Sequence, residues 1–412
     1  MISKATRISL LMALSLSTSA FALAQDAAET GTIDQVQMGD VWSDMDVSVP
    51  EYTPEVSSTS VAMGNSAAAV RGTGDVNAQI SQNFDAAATA TNRLRGYSAG
   101  SAAATTTSYG NAVTGGTNYG TNYTWAKEQV ASGNIAASSD IELLGGATIT
   151  SATTAMANIS STDTNFGNNY ADQYQYSSAD VEAETDADMC CDGYAATFVT
   201  TAGANATSST GYTTTNYNRA LQTTESGSNV RAVTDVYMND GTNVTAATTG
   251  FGNSATVQNE WGYATLGLEG APTTQVNGAD VDAQTYVTLD HWSGSATASA
   301  SGVGNSALIS NIGSDTVIYA DQTNNGTVGA QASLTGESWT GETGVVTSSA
   351  IGNAATATVC NYCSDGAVGG QINQTNSGSV YATGSAQTAY GGAIYGSATA
   401  VGNSATLQSV GD

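Results

Sequence analysis

Along most of this chain, small apolar residues alternate with hydroxyl-bearing ones. Ser295-Ala296-Thr297-Ala298-Ser299-Ala300 and Thr316-Val317-Ile318-Tyr319-Ala320 are typical. A period of two predicts β-strands with one small residue per pair turned inward. Large aliphatic residues are scarce, while Ala, Gly, Ser, Thr, Asn and Val dominate. Such a composition often marks disorder. Here the alternation persists, and the only prolines are Pro50, Pro54 and Pro272. A thin interior of small stacked side chains suits a β-solenoid. Residues 115–165 break the pattern most, with modest helical character at Trp125–Val130, and predict a loop-out or a degenerate coil.

Over the alternation lies a repeat. Gly64-Asn65, Gly252-Asn253, Gly304-Asn305 and Gly402-Asn403 are each followed by Ser-Ala, and Gly352-Asn353 by Ala-Ala. Looser relatives occur at Gly110-Asn111, Gly167-Asn168 and Ala202-Gly203-Ala204-Asn205. From Gly203 to Gly252, Gly304, Gly352 and Gly402 the steps are 49, 52, 48 and 50 residues. A period near fifty marks a repeat array, and such arrays build long surfaces more readily than pockets. Val76-Asn77-Ala78-Gln79, Val181-Glu182-Ala183-Glu184, Val281-Asp282-Ala283-Gln284, Val328-Gly329-Ala330-Gln331 and Val368-Gly369-Gly370-Gln371 form a second box. Val181, Val281 and Val328 precede the next box glycine by 22 to 24 residues.

The fold expected is therefore all-β: a parallel β-helix or β-solenoid of ~50-residue repeats, about two coils each. Gly and Asn tolerate backbone angles that other residues avoid, so the Gly-Asn boxes read as structural repeat corners with stacked Asn side chains. Roughly fourteen coils at the strand spacing would make a rod on the order of 70 Å. A curlin-like amyloid stack of antiparallel hairpins is the alternative geometry.

The ends differ from the array. Residues 1–24 carry Lys4 and Arg7, a short apolar run and Ala22-Leu23-Ala24 before Gln25, the pattern of a secretory signal peptide. Residues 25–60 are acidic, hold two of the three prolines and read as an N-terminal segment ahead of a 61–412 solenoid. In the whole chain 35 Asp and Glu face 8 Lys and Arg, with no Lys or Arg after Arg231. Nucleic acid needs clustered cations and is excluded as a partner.

Candidate chemistry is thin. Gly96-Tyr97-Ser98-Ala99-Gly100 matches a nucleophile elbow, but His291 is the only histidine and no strand-turn-helix pattern surrounds Ser98. Catalytic, cofactor and metal sites are each expected to be none. Asp186-Ala187-Asp188 and Asp280-Val281-Asp282 read as solvated carboxylates, because no known calcium-loop motif surrounds them. Paired carboxylates also leave a β-helix polysaccharide hydrolase or lyase as a lesser alternative. Cys190, Cys191, Cys360 and Cys363 suit disulfides in an exported chain, with Cys360–Cys363 a local loop closure. The nineteen tyrosines carry more. Eleven of them, among them Tyr109, Tyr123, Tyr170, Tyr174, Tyr212 and Tyr217, sit among Gly, Ser, Thr and Asn. Exposed aromatics beside amides suit sugar stacking and lateral protein contacts.

An exported, acidic, low-complexity chain with recurring Gly-Asn-Ser-Ala-Thr boxes resembles the holdfast anchor protein HfaD family of stalked alphaproteobacteria, from the signal peptide through Thr406. The resemblance implies a non-enzymatic surface adhesin that self-associates into multimers and attaches the holdfast exopolysaccharide to the cell envelope. It also implies export through a curli-type outer-membrane secretion lipoprotein and a companion anchor protein. The alternative within adhesion is a curlin-like amyloid fibre subunit, which Gln79-Ile80-Ser81-Gln82-Asn83 and Gln371-Ile372-Asn373-Gln374 resemble in their spacing.

Overall fold

The computed structural model describes residues 30–190, 193–339, 341–360, 366–389 and 392–410. The expected signal peptide, Cys191 and Cys363 lie outside the described residues. Every named strand pairing is parallel, so the alternation produces a solenoid and not a stack of antiparallel hairpins.

Three strands make one coil. Coil 1 is β1 (Gly31–Gln37), β2 (Val41–Val49) and β3 (Thr53–Arg71). Coil 2 is β4 (Val76–Asp85), β5 (Ala88–Gly96) and β6 (Ala99–Thr117). Coil 3 is β7 (Thr121–Ser132), β8 (Asn134–Leu143) and β9 (Gly146–Asn165). Coil 4 is β10 (Asn168–Ser177), β11 (Asp180–Met189) and β12 (Gly193–Tyr212). In coil 5, β13 (Thr215–Thr224) leads into β14 (Asn229–Glu260), which runs unbroken around a corner. Coil 6 has a split first face, β15 (Ala264–Leu266) and β16 (Thr273–Asn277), then β17 (Asp280–Ile312). Coil 7 is β18 (Thr316–Asn324), β19 (Val328–Trp339) and β20 (Thr343–Cys360). Coil 8 is β21 (Val368–Asn376), β22 (Val380–Thr388) and β23 (Ala393–Val410). We call the faces 1, 2 and 3 in the order in which each coil visits them.

This corrects the expected coil length. One fifty-residue repeat is one coil, not two: Asn65 pairs with Asn111, Asn205 with Asn253, and Val281 with Val328. The valine box had merged two faces. Val181, Val230, Val281 and Val328 stack on face 2, whereas Val76 and Val368 lie on face 1. Eight coils at the strand spacing give about 38 Å of axis, half the expected rod. Two further expectations change. Residues 31–60 form β1, β2 and part of β3, paired to coil 2, and so belong to the array rather than precede it. Residues 115–165 hold a regular coil 3; the irregular coil is 6, where a hairpin closed by Leu268 and Ala271 splits face 1.

The interior is thin, and small residues fill it. Ala88, Ala90, Ala102 and Ala104 are buried across coil 2 beside Ile80, Phe84 and Leu94. Buried hydroxyls bridge faces 2 and 3 in a zigzag, from Thr185 to Thr153, Thr200 to Thr185, Thr234 to Thr200 and Thr248 to Thr234, each 2.7–2.8 Å. Each bond spares a buried hydroxyl the cost of going unpaired, about 1–3 kcal/mol.

The Gly-Asn boxes fall inside the long strands of face 3. There the inward alternation changes phase: Thr248 and Gly250 point in, and beyond the box Asn253 and Ala255 do. The strand bends without a reversal. None of the box glycines is left-handed; the positive-φ residues stacked at one corner are Phe166 (55°), Thr213 (52°), Trp261 (60°) and Gly313 (79°), between faces 3 and 1. The boxes need glycine for room. A Cβ on Gly304 would lie 2.4 Å from the Gly352 carbonyl oxygen and 2.5 Å from Asn324 Oδ1.

The box asparagines form an unbroken column. Nδ2 donates to the Oδ1 of the next coil, from Asn65 (2.9 Å) through Asn111 (2.8 Å), Asn158 (2.8 Å), Asn205 (2.9 Å), Asn253 (2.8 Å), Asn305 (2.8 Å) and Asn353 (2.7 Å) to Asn403. The second amide proton reaches a face 1 carbonyl, as from Asn205 to Thr223 (3.0 Å) and Asn305 to Thr323 (2.8 Å). Asn158 belongs to this column although no glycine precedes it, while Gly167-Asn168 does not.

A glutamine column on face 1 runs with opposite polarity. Gln82 donates to Gln35 (2.7 Å), Gln222 to Gln175 (2.9 Å), Gln275 to Gln222 (2.7 Å), Gln322 to Gln275 (2.7 Å) and Gln374 to Gln322 (2.7 Å). Each also donates to a face 3 carbonyl. In coil 3 the column holds Glu128, which is 0 % exposed and accepts from Gln175 at 2.8 Å. Burial pushes its carboxyl up to about 8, against a smaller lowering by the Gln175 amide. Glu128 Oε1 and Gln82 Oε1, on register partners, are both buried without a partner.

Candidate functional site

Outward side chains on neighbouring coils sit one strand spacing apart, so like residues at one column position stack into a ladder. On face 1, Tyr123, Tyr170 and Tyr217 share a column. Their rings are parallel, with centroids 4.8 Å and 5.1 Å apart and interplanar angles of 6° and 7°. Tyr263 continues the row at 5.6 Å, tilted by 50°. In coil 2 the column residue is Asn77, so the ring stack ends at Tyr123, which is 48 % exposed. The adjacent outward column reads Gln79, Trp125, Asp172 and Arg219, with the Arg219 guanidinium 3.5 Å from the Asp172 carboxylate.

These columns line a groove of about 310 Å³, closed at the coil 6 end by Leu268 and Ala271 of the hairpin. Its chemistry is aromatic edge and face with amides, one carboxylate and one guanidinium. Such a surface can hold the C–H face of a pyranose on Tyr123 or Trp125 and its hydroxyls on Asn77, Gln79 and Asp172. Tyr170 is pushed to a higher pKa by burial, then by Tyr123 and Tyr217, so its hydroxyl remains a donor. A second aromatic row lies at the corner before face 1. Tyr119 and Phe166 stack at 5.2 Å, and Tyr212 meets Phe166 edge-on at 5.3 Å. Tyr109 departs from the expected outward set, since it is buried.

Face 2 carries an acidic stripe. Asp140, Asp186 and Asp235 are register neighbours, and Asp186 is raised by burial and then by Asp235 and Asp140. Arg95 bonds Asp140 (2.6 Å), and Arg231 pairs with Glu182.

The other sequence candidates do not converge. Ser98 lies in the turn between β5 and β6, whereas His291 is four coils along, about 19 Å at the strand spacing, beside Asp290 (3.3 Å). The box asparagines from Asn65 to Asn353 are buried in the interior, and Asn403 is exposed at the end of their column. Cys190 and Cys360, the described members of the candidate disulfides, are half-buried at the ends of face 2 and face 3 strands, and Cys363, the expected local partner of Cys360, lies with Cys191 outside the described residues. No helix among the described residues is long and apolar enough to cross a membrane.

A family model described as HfaD, holdfast attachment protein D, matches residues 50–327, from the turn before β3 to the turn after β18. The chain belongs to the HfaD family. Membership implies a role in holdfast attachment at the cell surface. No curated protein and no solved structure matches the chain. The tyrosine column and most of both amide columns lie within the matched region.

Proposed function

We propose that this chain is an exported, non-enzymatic surface adhesin that holds the holdfast exopolysaccharide to the cell envelope by many weak contacts. The observation that carries the reading is the face 1 groove, where stacked Tyr123, Tyr170 and Tyr217 run beside Trp125, Asn77 and Gln79. A polymer repeats its sugars and a solenoid repeats its columns, so contacts of modest strength add along the axis. Export by a curli-type outer-membrane lipoprotein, a companion anchor protein and self-association into multimers complete the proposal, and they rest on the family resemblance. The Gly-Asn residues serve this function from inside, as bends that space the outer columns. Disulfides of Cys190, Cys191, Cys360 and Cys363 would lock strand ends.

The test replaces Tyr123, Tyr170 and Tyr217 with alanine in cells that make holdfast, and measures how much adhesive stays on the cells against how much is shed. Shedding with normal adhesin synthesis and normal surface display of the variant is the expected outcome. Full retention by the triple variant would remove face 1 from the mechanism. Loss of adhesin synthesis in cells lacking the protein would replace attachment with a biosynthetic role.

A further inference from the structure

We infer that the solenoid continues from one molecule into the next, coil 8 of one copy receiving coil 1 of a second in parallel register. This deepens the self-association proposed above and rests on it. β21, β22 and β23 each have one paired edge, as do β1, β2 and β3, so six strand edges are open among the described residues. Open edges are templates for pairing, and solenoids that remain monomeric cover their ends with polar caps. Among the described residues coil 8 carries no such cap: Ile394 and Leu407, on inward columns, are 38 % and 47 % exposed.

The occupant follows from the columns. The asparagine column leaves an Asn403 amide without a donor bond at the coil 8 end and Asn65 Oδ1 without a donor at the coil 1 end. The glutamine column, with reversed polarity, leaves Gln374 Oε1 open at coil 8 and an amide proton of Gln35 at coil 1. A second copy advanced by one strand spacing joins both columns with the correct sense. The same step sets Ile33 on Ile372, Val56 on Ile394 and Ala69 on Leu407, following columns already formed inside the chain. It also sets Trp42, 78 % exposed, beside Tyr381, 47 % exposed.

Charge selects this orientation. Residues 366–410 contain no ionisable Asp, Glu, Lys, Arg or His, whereas coil 1 carries Asp34, Asp40, Asp44, Asp46, Glu51 and Glu55. Coil 1 against coil 1 would align like charges, while coil 1 on coil 8 meets a neutral face. Asn373, which donates to Asp321 at 2.7 Å, has Asp34 as its register neighbour across the joint.

The full mature chain, without residues 1–24, tests this by sedimentation and by electron microscopy. Thr383 is exposed and shares a column with Asp44, so Thr383→Asp opposes two carboxylates across the joint and Thr383→Arg pairs them. We expect Thr383→Asp to weaken association by about tenfold or more and Thr383→Arg to retain it. Val36→Cys with Thr375→Cys, outward on one column, should cross-link between molecules into a ladder of multimers. Multimers indifferent to both Thr383 variants and free of the 36–375 cross-link would overturn end-to-end stacking and leave self-association by the sides. A chain that is monomeric at every concentration would overturn both.

Discussion

On face 1, an inward and an outward column, five residues apart on every strand but the hairpin-split one of coil 6, vary differently from coil to coil. The inward column reads Gln35, Gln82, Glu128, Gln175, Gln222, Gln275, Gln322 and Gln374, one chemistry with one exception. The outward column nearer the strand starts reads Asn77, Tyr123, Tyr170, Tyr217, then Thr265, which the coil 6 hairpin buries, and Val317 and Gly369. Inside, each amide bonds both the coil before it and the opposite wall, so a wrong residue strands two neighbours at once. Outside, water satisfies whatever the neighbours do not. The interior is therefore uniform because its bonds require it, and the exterior is free to be aromatic where contact is made.

The sharpest way to break the comparison is to remove one inner amide. Asn205→Ala takes the donor from Asn253 Oδ1 and from the Thr223 carbonyl, and the acceptor from Asn158 Nδ2, all in the dry interior. Each stranded buried group costs about 1–3 kcal/mol, so the variant should lose about 4 kcal/mol by denaturant titration. Asn403→Ala, at the exposed end of the same column, should lose under about 1 kcal/mol in dilute monomer. Equal losses at the two sites would mean that the column is not a cooperative interior element.

The two columns also explain what the sequence could reveal. Strand content was legible because alternation is a local property. The asparagine column was legible because glycine marks it at Gly64, Gly252, Gly304, Gly352 and Gly402. Asn158 was missed, since Ala157 stands where the glycine would be. Coil length was misread because faces 1 and 2 are both built from Val, Ala and Gln, so a face looks like a coil. Most of the glutamine column also escaped notice: the step from Gln222 to Gln275 includes the coil 6 hairpin, and only pairing shows that the two stack. Tyr123, Tyr170 and Tyr217 were picked out as exposed aromatics, but neighbours in space they became only once a coil was known to be one repeat.

The exception in the inner column gives the second test. Glu128 has a folded pKa of about 8, above the ordinary carboxylate value near 4.3. Between those values the folded chain holds a proton that the unfolded chain has released. Stability should therefore fall as pH rises through that window, by at most about 1.4 kcal/mol per unit, and level off above pH 8. A proton on Oε1 also supplies the donor that Gln82 Oε1 lacks. Glu128→Gln should remove this slope and stabilise the chain by a few kcal/mol at pH 8, a gain that vanishes near pH 4. A variant with the wild-type pH profile would show that Glu128 stays ionised, satisfied by water inside the column.

The smallest effect on stability should come from the outer column, and there the functional effect is expected instead. Tyr170 sits between Tyr123 and Tyr217 with both ring faces covered, so Tyr170→Ala removes two stacking contacts worth about 0.5–1 kcal/mol each. Much of that returns as solvation of the neighbouring rings, and the denaturation midpoint should move by no more than about 1 kcal/mol. The gap, however, frees Tyr123 and Tyr217 to rotate and breaks the continuous wall of the groove. Binding of isolated holdfast polysaccharide should weaken several-fold in this variant, while Tyr395→Ala, an exposed tyrosine on coil 8 away from the groove, should leave it unchanged. Equal weakening by both substitutions would make the sugar contact a property of exposed tyrosine in general, and the outer column would then have no more order in its function than its varied sequence suggests.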